Sequence, residues 1–278
     1  MSENINSLIK KRFGETIATD AEIAENSGLV EILKHRSHRS FTDKQVSAEL
    51  LQVLFAAALS APSKSDLQQI AIIHIADETK KQKIAELIPG MPWISQASVL
   101  LVFCGDNRRI RKVCELRDKP FANDHLDSFL NAAVDTGLVL MNFIRAAESV
   151  GLGCCPISVI RNHVFAIAEC LELPEWVFPV AGLALGYPAG EGQISPRLSP
   201  STTVHTDSYD DSQLASQLDE YDQRRHAEQP IADTTQRAVR RYGKTEFYGW
   251  SEDKARQVSR TERADLGAFI RQQKFSLE

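Results

Sequence analysis

The residues of this chain best suited to chemistry lie in two basic clusters that are far apart in the sequence. The first cluster is His35-Arg36-Ser37-His38-Arg39, and the second is Ser195-Pro196-Arg197. Guanidinium groups offer paired N–H donors to phosphate oxygens, and a nearby serine adds a compact hydroxyl. If the fold brings the clusters together, they would grip one anionic ligand from two directions, and we predict a phosphate-bearing cofactor. Each cluster alone could equally be a solvated charged surface, or the basic end of a helix.

A third polar segment, Ala61 to Gln68, supplies hydroxyls and an amide in a loop that leads into an apolar segment. Such a loop could line the plane of a ligand, and a plain capping loop is an equal alternative. Gly151-Leu152-Gly153 lacks the third glycine of a dinucleotide fingerprint, and Lys64-Ser65 lacks the glycine-rich approach of a phosphate-binding loop. No nucleophile with its base, and no pair of carboxylates, stands out. We therefore predict that a cofactor carries the chemistry, and a hydride-transferring flavin suits this pattern.

Composition narrows the class of protein. A net charge of −5 over 278 residues argues against nucleic-acid binding through the whole surface. Five cysteines without a C-x-x-C pair, and histidines without ligand spacing, indicate neither a disulfide framework nor a metal site. The first residues lack a secretory signal, and polar residues interrupt the longest apolar stretch, Ala132 to Ile144. We expect a cytoplasmic protein with no metal, no nucleic-acid partner and no membrane association.

Hydrophobic periodicity predicts alternating helices and strands. Thr42 is the predicted N-cap of a helix that ends near Leu59, and Asp77 is the predicted cap of a helix that ends near Leu87. A long helix is predicted over 124–150 and a shorter one over 162–171. Strands are predicted over 69–76, 99–104, 154–157 and 177–187. This order predicts a layered α/β or α+β fold.

The composition changes near residue 200. Beyond this point the chain is polar, with helical patterns over 210–228, 231–241 and 251–272 and no predicted strand. These segments carry too few apolar residues for an independent core. We expect residues 201–278 to be a helical extension that packs on the core formed by residues 1–200, or on a second subunit.

Seven short motifs, taken together and in this order, resemble the FMN-dependent nitroreductase and flavin reductase superfamily. The likeness is greatest to its oxygen-insensitive NADPH nitroreductase and flavin reductase P branch, and it covers residues 33–210. The motifs are His35-Arg-Ser-x-Arg39, Ala61-Pro-Ser-x-Ser65, Ala146-Ala-Glu-Ser-x-Gly-Leu-Gly153, Arg161-Asn162, Gly182-Leu-x-Leu-Gly-Tyr-Pro-Ala189, Pro196-Arg-Leu198, and His205 with Tyr209.

The resemblance implies an α+β fold with three layers, in which a central, mostly antiparallel sheet is flanked by helices. It implies an intertwined homodimer with two FMN molecules at the subunit interface, and residues 1–200 would form the FMN-binding core. By motif position, the phosphate end of FMN would be held by His35, Arg36, Ser37 and Arg197. Arg39 would face the pyrimidine edge of the ring, where a cation stabilises the negative charge that collects on reduction.

Two further segments take their expected roles from the same resemblance. Ser63, Ser65 and Gln68 match the loop that meets the flavin, partly from the partner subunit. Pro156, Ile157, Ser158 and Val159 occupy the place of a segment that passes over the flavin ring. A main-chain N–H near Ser158 would then donate to the N5 or O4 side of the flavin, and a plain core strand is the alternative.

The implied function is an FMN-dependent NAD(P)H oxidoreductase with a ping-pong mechanism and a nitroaromatic, quinone or flavin as the small-molecule acceptor. The alternatives are a reductase with a specialised acceptor, such as an enone or a halogenated aromatic, and a flavin-binding protein with little turnover. Ser195, Met91 and Asp66 depart from the family pattern, which has lysine, glutamine and an apolar residue at those positions. The sequence leaves the physiological acceptor, the choice between NADH and NADPH, and the effect of these three departures open.

Overall fold

The computed structural model describes residues 4–17, 23 and 26–278, and the chain forms two compact units. The sheet unit comprises residues 37–192 and 263–278, and the helical unit comprises residues 1–36 and 193–262. These boundaries do not follow the single division that we expected at residue 200. The chain leaves the helical unit after residue 36, returns at residue 193, and rejoins the sheet unit at residue 263.

The sheet unit contains a four-stranded sheet with strand order β1-β2-β4-β3. Its strands are β1 (Ile70–His74), β2 (Val99–Asp106), β3 (Gly153–Ile157) and β4 (Val177–Gly186). Every pair of neighbouring strands is antiparallel. All four predicted strands are confirmed within a few residues, and so is the expected α+β architecture with a central antiparallel sheet.

Helices cover both faces of this sheet. The helices of the sheet unit are α3 (Ala48–Leu59), α4 (Glu78–Glu86), α5 (Trp93–Gln96), α6 (Arg108–Leu116), α7 (Leu126–Ser149), α8 (Val164–Cys170) and α13 (Leu266–Gln272). Leu101 and Phe103 of β2 pack toward α3 and α7, whereas Leu100 and Val102 pack toward α4 and α5. This alternation along one buried strand produces the three layers.

The start of α3 differs from the sequence prediction, which placed the N-cap at Thr42. In the structure Ser47 is the N-cap, and its Oγ accepts a hydrogen bond from the Leu50 N–H at 3.2 Å. The Thr42 N–H instead donates to the Tyr187 carbonyl at 2.8 Å, in the segment that precedes the helix. Both residue types suit an N-cap; Thr42 pairs with the segment that follows β4, and the cap falls to Ser47.

The described helices of the helical unit have 4 to 15 residues. They are α1 (Ile5–Phe13), α2 (Ser27–Leu33), α9 (Pro200–Thr203), α10 (Leu214–Glu228), α11 (Val239–Tyr242) and α12 (Trp250–Val258). Over residues 231–241, where the sequence predicts a helix, the structure has a 3₁₀ turn, Asp233–Thr235, and the four residues of α11. Nowhere in the described parts of either unit is a helix long and apolar enough to cross a membrane.

Candidate active site

A buried arginine, Arg12, joins the main chain of the two basic clusters within the helical unit. Its guanidinium donates to the Leu33 carbonyl, from Nε at 3.2 Å and from Nη2 at 2.9 Å, and to the His35 carbonyl. Nη1 donates to the Ser195 carbonyl at 3.5 Å. The Arg197 N–H donates back to the Arg12 carbonyl at 2.7 Å. Arg12 therefore joins two backbone segments, one at His35 and one that comprises residues 195–197.

Arg12 is not among the site residues predicted from the sequence. It belongs to the basic last turn of α1, and such residues are favourable at helix C-termini without further function. Arg12 differs from an ordinary basic residue at a helix end by its position in the helix. It lies on the same buried face as Ile5, Leu8 and Ile9. An arginine on an apolar face needs buried partners, and here those partners are main-chain carbonyls.

Replacing Arg12 with methionine is expected to lower the free energy of unfolding by about 2 kcal/mol, because three carbonyls lose a charged donor. Methionine keeps the apolar stem, so that the loss reports mainly on the hydrogen bonds. Urea unfolding followed by circular dichroism measures the effect. The matched control is Lys10→Met, at an exposed position of the same helix turn. A stability for the Arg12 variant equal to that of the control would contradict this role.

The guanidiniums of the two clusters keep donors for a further partner. Arg36 is half-buried and directs Nε to the Lys34 carbonyl at 3.3 Å. Arg197 is exposed, and within the described chain its guanidinium donates only to the adjacent Pro196 carbonyl, at 3.3 Å. A cavity of about 540 Å³ in the helical unit is lined by Arg197 together with Tyr221, Arg225 and Trp250. This donor set suits an anion such as a phosphate.

In the sheet unit, residues 37–39 run beside strand β3. Ser37 forms a parallel bridge with Cys154, and the His38 N–H donates to the Cys154 carbonyl at 2.9 Å. Gly153 permits this approach, because a Cβ at that position would come within 2.8 Å of the His38 side chain. Burial raises the pKa of the Cys155 thiol, and the adjacent Arg39 guanidinium opposes that rise. Arg39 is exposed and lies beside Cys155 of β3.

The segment 156–159 ends β3 and begins a 3₁₀ turn. The Ile157 side chain is buried in the core, so that the core-strand interpretation applies to this residue. Pro156 and Ser158 are exposed. Arg263, which was not predicted from the sequence, donates Nη2 to Ser158 Oγ at 3.4 Å and Nε to Asn162 Oδ1 at 2.7 Å.

The polar loop before β1 is held in an unusual backbone conformation. Ser65, Asp66 and Gln68 have positive φ angles of 52°, 57° and 52°. Ser63 Oγ donates to Asp135 of helix α7 at 2.7 Å and accepts from the Gln68 N–H at 2.8 Å. Ser65 and Gln68 are exposed, and within the described residues no hydrogen bond or ion pair joins this loop to residues 156–159.

Asp66 and Met91, two of the residues that depart from the family pattern, each have one clear kind of contact in the structure. Asp66 is exposed and accepts a hydrogen bond from Gln68 Nε2 at 3.1 Å. Met91 is half-buried and packs against the core cluster that contains Ile84 and Ile94. Met91 thus contributes packing, whereas Asp66 adds a negative charge to the exposed side of the loop.

Comparisons with known proteins give one consistent result. The "Nitroreductase family" sequence model matches residues 32–187, and the "Nitroreductase family, C-terminal domain" model matches residues 195–278. An FMN reductase [NAD(P)H] of Bacillus subtilis is 40% identical over 201 residues, which are 71% of this chain and 81% of that protein. The oxygen-insensitive NADPH nitroreductase of Salmonella typhimurium is 37% identical over 67% of this chain and 77% of that protein.

Solved structures agree with the sequence matches. B. megaterium NfrA2 is 35% identical, with a TM-score of 0.82 over 91% of this chain and 99% of that chain. The NADPH:FMN oxidoreductase from Vibrio harveyi complexed with NAD⁺ is 28% identical, with a TM-score of 0.77 over 89% of this chain and 98% of that chain. The similarity therefore extends over nearly the full length of these structures.

Proposed function

Because the chain belongs to the nitroreductase family, we propose that it is an FMN-dependent oxidoreductase with NADPH or NADH as electron donor. This proposal rests on the hydrogen bonds of Arg12, which join the main chain of two basic segments that are distant in the sequence. The Arg197 guanidinium is exposed and can bind a phosphate. The named activities of the relatives favour an enzyme over a flavin-binding protein with little turnover.

We assign the phosphate of FMN to His35, Arg36 and Ser37 of the first cluster and Arg197 of the second. Their guanidinium, imidazole and hydroxyl groups form the cationic donor set that a phosphate requires. Ser195 replaces the family's lysine, so that Arg197 carries more of this electrostatic role. This assignment predicts that affinity for FMN exceeds affinity for riboflavin, which lacks the phosphate.

We assign the flavin ring to groups of the sheet unit. Arg39 supplies a cation to the pyrimidine edge, while the Ser63, Ser65 and Gln68 loop contributes polar groups. Pro156, Ile157, Ser158 and Val159 contribute main chain, with a donor near Ser158. When bound, FMN supplies two-electron redox chemistry between NAD(P)H and a second substrate. The residues of this chain bind and orient the flavin, and Arg39 stabilises negative charge on it.

The proposal is tested by the visible absorption spectrum of the purified protein, followed by anaerobic addition of NADH and, separately, NADPH. We expect a yellow protein that bleaches, and the faster donor identifies the nucleotide preference. Steady-state rates with a quinone, a nitroaromatic or free flavin should give parallel double-reciprocal lines, because one site serves both substrates in turn. A colourless protein that neither binds FMN nor oxidises either nucleotide would refute the function.

An exposed apolar row on α7 supports the expected homodimer. Leu130, Val134, Leu138 and Met141 are between 40% and 53% exposed. Their spacing of four, four and three residues places them on one side of the helix. A continuous apolar row of this kind is typical of a protein–protein interface. We propose that a second copy of the chain covers it; the cytoplasmic location stays a prediction from the sequence.

Replacing Leu138 with serine is expected to raise the dimer dissociation constant about tenfold, because apolar area on each subunit would no longer be buried. Sedimentation velocity across a dilution series measures the constant. Leu116→Ser is the control, since Leu116 is exposed and lies outside α7. A monomeric wild-type protein at micromolar concentration would contradict the proposed homodimer.

A further inference from the structure

We propose that Asp135 of helix α7 is a positioning residue that shapes the 63–69 loop for the flavin ring. The proposal rests on the proposed function, because the loop matters only if it meets a flavin. Asp135 is 1% exposed, and it was not among the site residues predicted from the sequence. It lies in the middle of the longest helix, on the face toward the core, where a carboxylate needs specific partners.

Those partners all belong to the 63–69 loop. Asp135 Oδ2 accepts hydrogen bonds from Ser63 Oγ at 2.7 Å and from the Gln69 N–H at 3.4 Å. Asp135 Oδ1 accepts from the Lys64 N–H at 3.0 Å. One side chain thus binds the beginning and the end of the loop.

The Asp135 carboxylate accepts hydrogen bonds from uncharged polar groups. Among the residues that the structure describes, no lysine, arginine or histidine forms an ion pair with its carboxylate. Two main-chain N–H groups and one hydroxyl take that place. Hydrogen bonds to an ionised acceptor are stronger than neutral ones, and their directions fix the main chain that donates them. The carboxylate therefore specifies the path of the loop.

The loop needs such a constraint because its backbone is strained. Ser65, Asp66 and Gln68 adopt left-handed φ angles without being glycine. A side chain makes this backbone conformation unfavourable, so that it persists only where surrounding interactions enforce it. Ser63 Oγ relays the constraint, because it donates to Asp135 and accepts from the Gln68 N–H at 2.8 Å.

A second set of bonds fixes the other side of the loop. Arg109 Nη1 donates to the Gln68 carbonyl at 2.7 Å, and Asn107 Nδ2 donates to Gln69 Oε1 at 2.9 Å. The bond from Asn107 is buried and the bond from Arg109 lies at the surface, while the side chains of Ser65 and Gln68 remain exposed. This division is what a loop that presents polar groups to a ligand requires.

The test compares Asp135→Asn with wild type for binding of FMN and of riboflavin by the apoprotein, measured through flavin fluorescence. An asparagine of the same shape turns one oxygen into an N–H₂ group that faces a donor, so that the loop relaxes. We expect both dissociation constants to rise about tenfold and by the same factor, because the loop meets the ring and not the phosphate. Asp127→Asn, an exposed position on the same helix, should bind both flavins as wild type does.

Visible circular dichroism of the bound flavin, at saturating FMN, reports the surroundings of the ring directly. We expect an altered spectrum for Asp135→Asn and a wild-type spectrum for Asp127→Asn. Wild-type affinities with a wild-type spectrum in the Asp135 variant would overturn the proposal. So would a fall in FMN affinity with riboflavin affinity unchanged.

Ser63→Ala keeps the proposal testable if the Asp135 variant does not fold. It removes the relay hydroxyl at a half-buried position and should weaken both flavins by a smaller, equal factor. Unchanged binding in Ser63→Ala would then overturn the proposal. Failure of the proposed function would look different, because the wild-type protein itself would bind neither FMN nor riboflavin.

Discussion

Arg197→Ala is expected to raise the dissociation constant for FMN about 100-fold and to leave that for riboflavin nearly unchanged. Removing a charge-assisted donor to a phosphate costs about 1.5–3 kcal/mol, and each 1.4 kcal/mol is a factor of ten in affinity. The effect should lie toward the upper end of that range, because Ser195 supplies no second cation beside it. Fluorescence titration of the apoprotein with each flavin measures both constants.

The control for this prediction is Arg260→Ala, which removes an exposed arginine from the same unit. It should leave both constants at their wild-type values. Equal weakening of FMN and riboflavin by Arg197→Ala would place Arg197 away from the phosphate. Wild-type affinity for FMN would remove Arg197 from the site altogether.

Arg39→Ala is expected to slow reduction of bound flavin by NAD(P)H about 100-fold, with FMN still bound. A preorganised cation or donor directed at developing charge typically contributes a factor of this size. Arg39 is exposed and lies beside Cys155 of β3, the strand that ends at Ile157. Anaerobic stopped-flow absorbance at saturating nucleotide measures the rate of reduction without the acceptor half-reaction.

Two controls separate charge from packing. Arg39→Lys keeps the cation and should recover part of the rate, whereas Arg108→Ala removes an exposed arginine of the same unit and should change nothing. Because Arg39 also lies against the Cys155 thiol, the comparison is repeated in a Cys155→Ala background. A wild-type rate of reduction in Arg39→Ala would refute the assignment.

The elements with strong apolar periodicity were predicted well from the sequence. The four strands and the long helix α7 agree with the prediction because their buried residues repeat with the period of each element. The Thr42 cap was wrong, since Thr42 and Ser47 are both suitable cap residues and only pairing with Tyr187 distinguishes them. The helical pattern over 231–241 was only partly realised, because short polar segments depend on tertiary contacts.

In the candidate site, too, the sequence predicted some features and only the tertiary structure showed others. Residue types and their order determined the family resemblance and the identity of the exposed donors, such as Arg39, Arg197 and Ser65, because these groups act through their own chemistry. Only the tertiary structure assigned roles to Arg12 and Asp135, whose partners are distant in sequence and, apart from the Ser63 hydroxyl, are main-chain atoms. A main-chain carbonyl or N–H is the same in every residue, so that no sequence pattern marks it as a partner. The sequence thus specified which groups we propose to meet a ligand, and folding determined what holds them in place.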